Sequence, residues 1–308
     1  IAEMLRGGTT CFNDMYFFPN IVAERAEKHG IRASVGLIAI DFPTVWADNA
    51  DDYIQKGLDL NKALQDSTLC STAFAPHAPY TISDAPLAKI GLLAKDLKRP
   101  VHIHVHETEF EVQEAIEKSG KRPLERLNEL GLINDRLIAV HATQLTEEEI
   151  ALLAKAGSHI VHCPESNLKL ASGFCPVAQC LDAGVNVALG TDGAASNNDL
   201  DMFGEMRTAA LLGKAVAKDA SAVSAMTALQ MATINGAKAL GLAEETGSLK
   251  IGKAADVIAV DLSVLETQPL YCPVSQLVYS ASRQQVTDVW IAGKHLLKKR
   301  ELVTIDIN

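Results

Sequence analysis

The sequence predicts an α/β protein built as a (β/α)8 TIM barrel. Short apolar runs alternate with longer amphipathic segments along most of the chain, and polar residues able to do chemistry stand where the apolar runs end. Alternation of this kind predicts parallel strands joined by crossover helices, and barrel enzymes assemble their sites at C-terminal strand ends. At 308 residues the chain can bury one large core and a small second unit. Hydrophobic content of 48% against 21% charged residues is that of a globular chain, not a disordered one.

The candidate strands run from Thr9 to Asp14, Arg32 to Ile38, Leu69 to Ala75, Pro100 to Val105, Leu137 to His141, His159 to Cys163 and Val185 to Gly190, one fewer than a closed barrel uses. Between them, helix-like stretches cover Asn20 to His29, Asp84 to Leu97, Glu109 to Ser119, Thr146 to Ala156 and Pro176 to Ala183. Thr146-Glu147-Glu148-Glu149 has the capping-box pattern, and Gly30, Gly157 and Gly184 stand where glycine ends a helix. Met202-Phe203 and Leu211-Leu212 are read as helix core. Beyond Gly241 the character changes: Val257 to Val260 and Val286 to Ile291, the latter followed by the turn Ala292-Gly293-Lys294, predict strands of a small β unit.

Composition narrows the function classes. A net charge of -10, with Lys298-Lys299-Arg300 as the one short basic run, argues against binding nucleic-acid phosphates. The sequence has no apolar run long enough to span a bilayer, and its first residues lack the plan of a signal peptide, so a cytoplasmic protein with no membrane partner is expected. Cys11, Cys70, Cys163, Cys175, Cys180 and Cys272 form no C-x-x-C pair and are expected as reduced thiols.

The chemistry gathers at three strand ends. Alternation along a strand places His102, His104 and His106 on one face, with Glu107 next; His141 closes its own apolar run; and Val185 to Leu189 delivers Asp192 into a loop of small residues. Imidazole and carboxylate suit Zn2+, with Fe2+ an alternative, and the bound cation lowers the pKa of its water from about 15.7 towards 7. Asp192 is then expected to hold metal and take the water's proton, Glu107 to shuttle a proton to a ring nitrogen or leaving group, and His141 to orient the nucleophile and stabilise charge. Such a site attacks an electron-poor carbon and expels ammonia. The zinc deaminases built on H-x-E and P-C-x-x-C are excluded as a template because the cysteine pair is absent.

His104-Val105-His106-Glu107-Thr108, Val140-His141-Ala142-Thr143-Gln144, the stretch from Cys163 to Gly173 and the Asp192 segment resemble the amidohydrolase superfamily, and within it the 5-methylthioadenosine/S-adenosylhomocysteine deaminases. Ala75-Pro76-His77-Ala78-Pro79-Tyr80, Asp14-Met15-Tyr16-Phe17 and Gly204-Glu205-Met206-Arg207 extend the resemblance over essentially the whole chain. It implies a barrel of the metal-dependent hydrolase type, His104 and Asp192 as metal ligands, His77 as a substrate contact, and a pocket bordered by Ser196 and the Ser166 to Ser172 loop. The implied partner is a small purine nucleoside; a homo-oligomer is compatible with the sequence.

Two departures qualify the resemblance. The family opens its barrel with a strand ending in a His-x-His metal pair, and residues 1–100 contain only His29 and His77. The expectation is therefore a chain that begins late: residues 1–245 a barrel without its first strand, 246–308 the C-terminal part of a small β-sandwich domain, with weak or no activity. An inactive fragment is one rival reading, and a guanine, cytosine or triazine aminohydrolase or chlorohydrolase is another. From Ala33 to Lys98 there is no arginine to grip an amino-acid carboxylate, and Phe18-Pro19-Asn20 offers no carboxylate to ribose hydroxyls. The sequence thus leans towards methylthioadenosine or adenosine over S-adenosylhomocysteine.

Overall fold

The structure, a computed structural model, describes residues 1–306. Among these, seven parallel strands pair in sequence order: β1 (Cys11–Asp14), β2 (Arg32–Ala39), β3 (Cys70–Pro76), β4 (Val101–Val105), β5 (Leu137–His141), β6 (His159–His162) and β7 (Asn186–Leu189). The sheet curls, leaving β1 and β7 at its two edges. Every strand expected from the apolar runs is present, with its ends moved by a residue or two. β2 shows why these runs are legible: all eight of its residues are buried, as befits a parallel strand covered on both faces. Gly36 within it is forced by sheet geometry, because a Cβ there would sit 2.0 Å from the carbonyl oxygen of Asp14 on β1.

The helices between the strands begin and end as the caps dictate. Thr146 accepts from the Glu149 amide while the Glu149 carboxylate accepts from that of Thr146, the reciprocal pattern expected from sequence. Gly30 and Gly157 take the left-handed conformation at helix ends. The helix Ala50–Ala63 was not anticipated: it buries a narrow stripe of Tyr53, Ile54 and Gly57, and polar residues fill the rest. Its start was nonetheless written in Asn49, whose side chain accepts from the Asp52 amide.

Beyond the barrel, β8 (Val257–Val260), β9 (Val286–Ile291), β10 (Lys294–Lys298) and β11 (Glu301–Leu302) form a single antiparallel sheet of four strands among the described residues. The helix Pro273–Tyr279 lies between β8 and β9, and Arg207 donates to the carbonyls of Val278 and Ala281 from the barrel helix Met202–Ala217. No helix among the described residues is long and apolar enough to cross a membrane.

A buried ion pair joins the two sheets. Arg32, the first residue of β2, donates through Nε and Nη2 to the Asp256 carboxylate at 2.8 and 3.2 Å. Its Nη1 reaches the carbonyl of Thr68 at 3.0 Å, and Asp256 also accepts from the Ala292 amide at 2.7 Å. Both side chains are at most 5% exposed, so neither charge could turn to water if its partner were lost. Asp256→Ala is expected to destabilise the fold by about 3–5 kcal/mol in urea unfolding, because it strands a buried guanidinium. A loss below about 1 kcal/mol would show that the pair does not hold the sheets together.

Candidate functional site

Three parallel strands deliver the donors. His104 is the penultimate residue of β4, His141 the last of β5, and Asp192 stands three residues beyond β7. Pairing of β4 with β5 sets Val140 opposite His104 and Val105 opposite His141, so regular alternation would leave the two imidazoles on different faces; His141 has left the extended region, and the rings stack with centroids 5.4 Å apart. His104, His141 and Asp192 each aim one ligand atom at a common space, with these atoms all within 4.8 Å of one another. His141 (φ 72°) and Asp192 (φ 60°) sit in the left-handed region, where non-glycine residues are uncommon, as does Ala142 (φ 49°).

The ring nitrogens are assigned by their partners. His104 Nδ1 donates to the carbonyl of His77 at 2.8 Å, and His141 Nδ1 donates to Asn167 Oδ1 at 2.8 Å. His104 Nε2 is thereby left with a lone pair for the shared space, and His141 Nε2 is turned towards the same space. Burial, reinforced by the neighbouring His141 and His77, lowers the pKa of His104 to about 4, so at neutral pH it is an unprotonated donor. For Asp192, burial acts in the opposite direction but is outweighed by hydrogen bonds from Ser166 Oγ (2.7 Å) and the Gly193 amide (2.7 Å) and by the two imidazoles, which together hold its carboxyl below the usual range. Neutral imidazole with ionised carboxylate is a donor set that fits a divalent cation of the zinc type.

Glu107 stands beside this set, with Oε2 3.8 Å from His141 Nε2 and Oε1 accepting from Ser172 Oγ at 3.3 Å. Its backbone is fixed: Thr143 Oγ1 donates to its carbonyl at 2.7 Å, and Glu111 accepts from the amides of His106 and Glu107 at 3.0 and 2.8 Å. His77 lies on the other side of His104, its ring 5.2 Å away and edge-on to Tyr80. Ser196 is on the short helix Ala194–Asn197 that follows Asp192.

The histidine row does not behave as a uniform face. His102 and His104 do share a side of β4, with rings 5.6 Å apart, yet His102 lies deeper and outside the donor group. His106 departs altogether: the strand ends at Val105, φ at His106 is 55°, and its ring is buried against the following helices, accepting from the Leu124 amide at 3.3 Å. The Glu111 carboxylate that holds its amide explains the turn, and Thr108-Glu109-Phe110-Glu111 carries the capping pattern that announces it. Asn167 joins the site without any local signal in the sequence, since its link to His141 spans 26 positions.

The chain is similar to known proteins over nearly its whole length. A sequence profile described as the amidohydrolase family matches residues 1–296. The chain is 54% identical over 305 residues to the 5-methylthioadenosine/S-adenosylhomocysteine deaminase of Teredinibacter turnerae, covering 99% of this chain and 69% of that one. It is 51% identical over 306 residues to the protein of the same name from Saccharophagus degradans, with the same shares covered. Among solved structures, an adenosine deaminase from Xanthomonas campestris with bound zinc superposes with a TM-score of 0.98 at 58% identity, over 99% of this chain and 70% of that one. An atrazine chlorohydrolase from Arthrobacter aurescens complexed with zinc matches with a TM-score of 0.90 at 25% identity, over 99% and 74% of the respective chains.

Removing the hydroxyl that orients Asp192 tests the donor set. Ser166→Ala is expected to weaken zinc binding about tenfold in competition with a chromophoric chelator, the usual scale for a lost outer hydrogen bond. An unchanged dissociation constant would mean that Asp192 is placed without Ser166.

Proposed function

Because the chain belongs to the amidohydrolase family, we propose that it is a metal-dependent hydrolytic deaminase of adenine nucleosides, acting on 5-methylthioadenosine and adenosine. The observation that carries this reading is the convergence of His104, His141 and Asp192 beside Glu107, in a chain more than half identical to named deaminases. His104 and Asp192 hold the cation, zinc foremost. When bound, it supplies Lewis acidity that makes a water-derived nucleophile available near neutral pH.

The chain's own groups do the rest. The Asp192 carboxylate accepts the proton that the attacking water gives up, and Ser166 keeps its oxygens aimed. His141, its Nδ1 held by Asn167, presents Nε2 to the attacked carbon's surroundings and stabilises the charge that develops there. Glu107 Oε2 carries one of the water's two protons to the purine ring nitrogen beside that carbon, and the other, held by Asp192, passes to the departing amine. Oxygen from water is thereby bonded to the ring, the carbon–nitrogen bond breaks, and ammonia leaves. His77 and Ser196 border the substrate.

Specificity follows from what surrounds the mouth. Tyr16, Phe42, Tyr80 and Phe174, on loops beyond β1, β2, β3 and β6, are all more than half exposed. They offer apolar surface to a methylthio group. The nearby guanidiniums are engaged elsewhere: Arg126 with Asp84 and the carbonyls of Pro79 and Ile82, Arg122 with Glu149 and the carbonyl of Gln144. Neither has a free fork for an amino-acid carboxylate. A cytoplasmic location fits the same reading, supported by six unpaired cysteines, four of them buried.

With zinc supplied, ammonia release from 5-methylthioadenosine is expected, with kcat/KM at least about tenfold above that for S-adenosylhomocysteine, the scale of one missing charge-assisted contact. Glu107→Gln should lower kcat by about 10²–10⁴ while zinc content stays unchanged. A zinc-loaded protein that releases no ammonia from any adenine nucleoside would refute the activity; a Glu107→Gln variant at full rate would refute the proton-transfer role.

A further inference from the structure

Glu205 is a carboxyl with 0% exposure in the first turn of the Met202–Ala217 helix, outside the donor set. Burying such a group costs several kcal/mol unless it is well bonded, and its recorded partners are amides, not cations. Oε2 accepts from the backbone amide of Glu165 at 3.2 Å, and Oε1 accepts from Asn197 Nδ2 at 2.5 Å.

Each contact leads to Asp192. Glu165 precedes Ser166, whose hydroxyl binds Asp192 Oδ2, and Asn167, which holds His141. Asn197 Nδ2 also donates to the carbonyl of Thr191 at 2.9 Å, one residue before Asp192. The loops after β6 and β7 are therefore pinned to one buried group from below. The packing leaves little room for them to move: a Cβ on Gly204 would sit 3.0 Å from Glu165 Oε1, which itself accepts from Thr208 Oγ1 at 2.8 Å.

We propose that Glu205 is a positioning residue that fixes the Asp192 carboxylate through two hydrogen-bonded arms, one by way of Glu165 and Ser166 and the other by way of Asn197 and Thr191. Retaining a buried carboxyl here, where an apolar side chain would pack without desolvation cost, is explained by the need to hold two strand-end loops in one relation. Burial, with Glu165 and Asp199 nearby, pushes its carboxyl up to about 8 against the hydrogen bonds it accepts, as expected for a group held for its geometry and not for its charge.

The kinetic part of the test rests on the deaminase reading; the metal part does not. Glu205→Ala, Glu205→Gln and Asn197→Ala are prepared in the zinc-loaded full chain. The first readout is the rate of zinc loss to EDTA without substrate, and the second is kcat and KM for 5-methylthioadenosine. Glu205→Ala and Asn197→Ala should lose zinc about tenfold faster or more and lower kcat with KM within about twofold, Glu205→Gln falling between them and the parent. Variants that only melt earlier, with parental zinc loss and kcat, would overturn the proposal. If Glu205→Ala does not fold, parental zinc retention in both other variants overturns it equally. A parent chain that holds zinc but does not turn over methylthioadenosine would count against the deaminase reading, and the zinc-loss comparison would still decide the role of Glu205.

Discussion

Parallel register is the constraint on which the site depends. Seven strands running the same way put seven C-terminal ends on one rim, so a residue at the end of any strand faces the same space as its counterparts. Pairing of β4 with β5 and of β6 with β7 then fixes which residues meet: Val105 is level with His141, and His162 with Leu189. A slip of one residue in β4 would turn His104 out of the rim and bring Ile103 or Val105 into it. Gly36 protects that register at its far edge, since only a residue without Cβ lets β1 approach β2 as closely as it does.

Register brings the donors near one another; a layer of hydrogen bonds makes them a site. One short segment from Ser166 to Ser172 touches three of the four groups: Ser166 binds Asp192, Asn167 binds His141 and Ser172 binds Glu107. The fourth, His104, takes its tautomer from the carbonyl of His77, the residue that follows β3. Because His104 gives Nδ1–H to an oxygen, its Nε2 faces the shared space, and burial keeps the ring unprotonated where a proton would compete with a cation. The same burial makes each hydrogen bond in this layer costly to break, and it leaves Asn167 Nδ2 buried without a partner.

The sequence made some of this plain and concealed the rest for physical reasons. Strands of a parallel sheet are buried on both faces, so each appears as a compact apolar run, and all seven were visible with the chemistry at their ends. Helices with a narrow buried stripe, such as Ala50–Ala63, were lost among polar residues, although Asn49 marked the start. Periodicity put His106 beside His104, but a strand's alternation holds only while the strand continues, and the Glu111 cap ends it at Val105. The supporting residues were hardest to foresee, because the Asn167–His141 and Glu205–Glu165 contacts join positions 26 and 40 residues apart. No local pattern encodes a contact of that length; only the resemblance to a family pointed to those segments.

The most direct test of this account is the position of zinc in crystals of the zinc-loaded protein, located by anomalous scattering at the zinc edge. A peak is expected about 2.0–2.2 Å from His104 Nε2 and from an Asp192 carboxylate oxygen, the distances these ligands take around zinc. A peak seated elsewhere, or none at full zinc loading, would contradict the claim that the ends of β4 and β7 build a metal site.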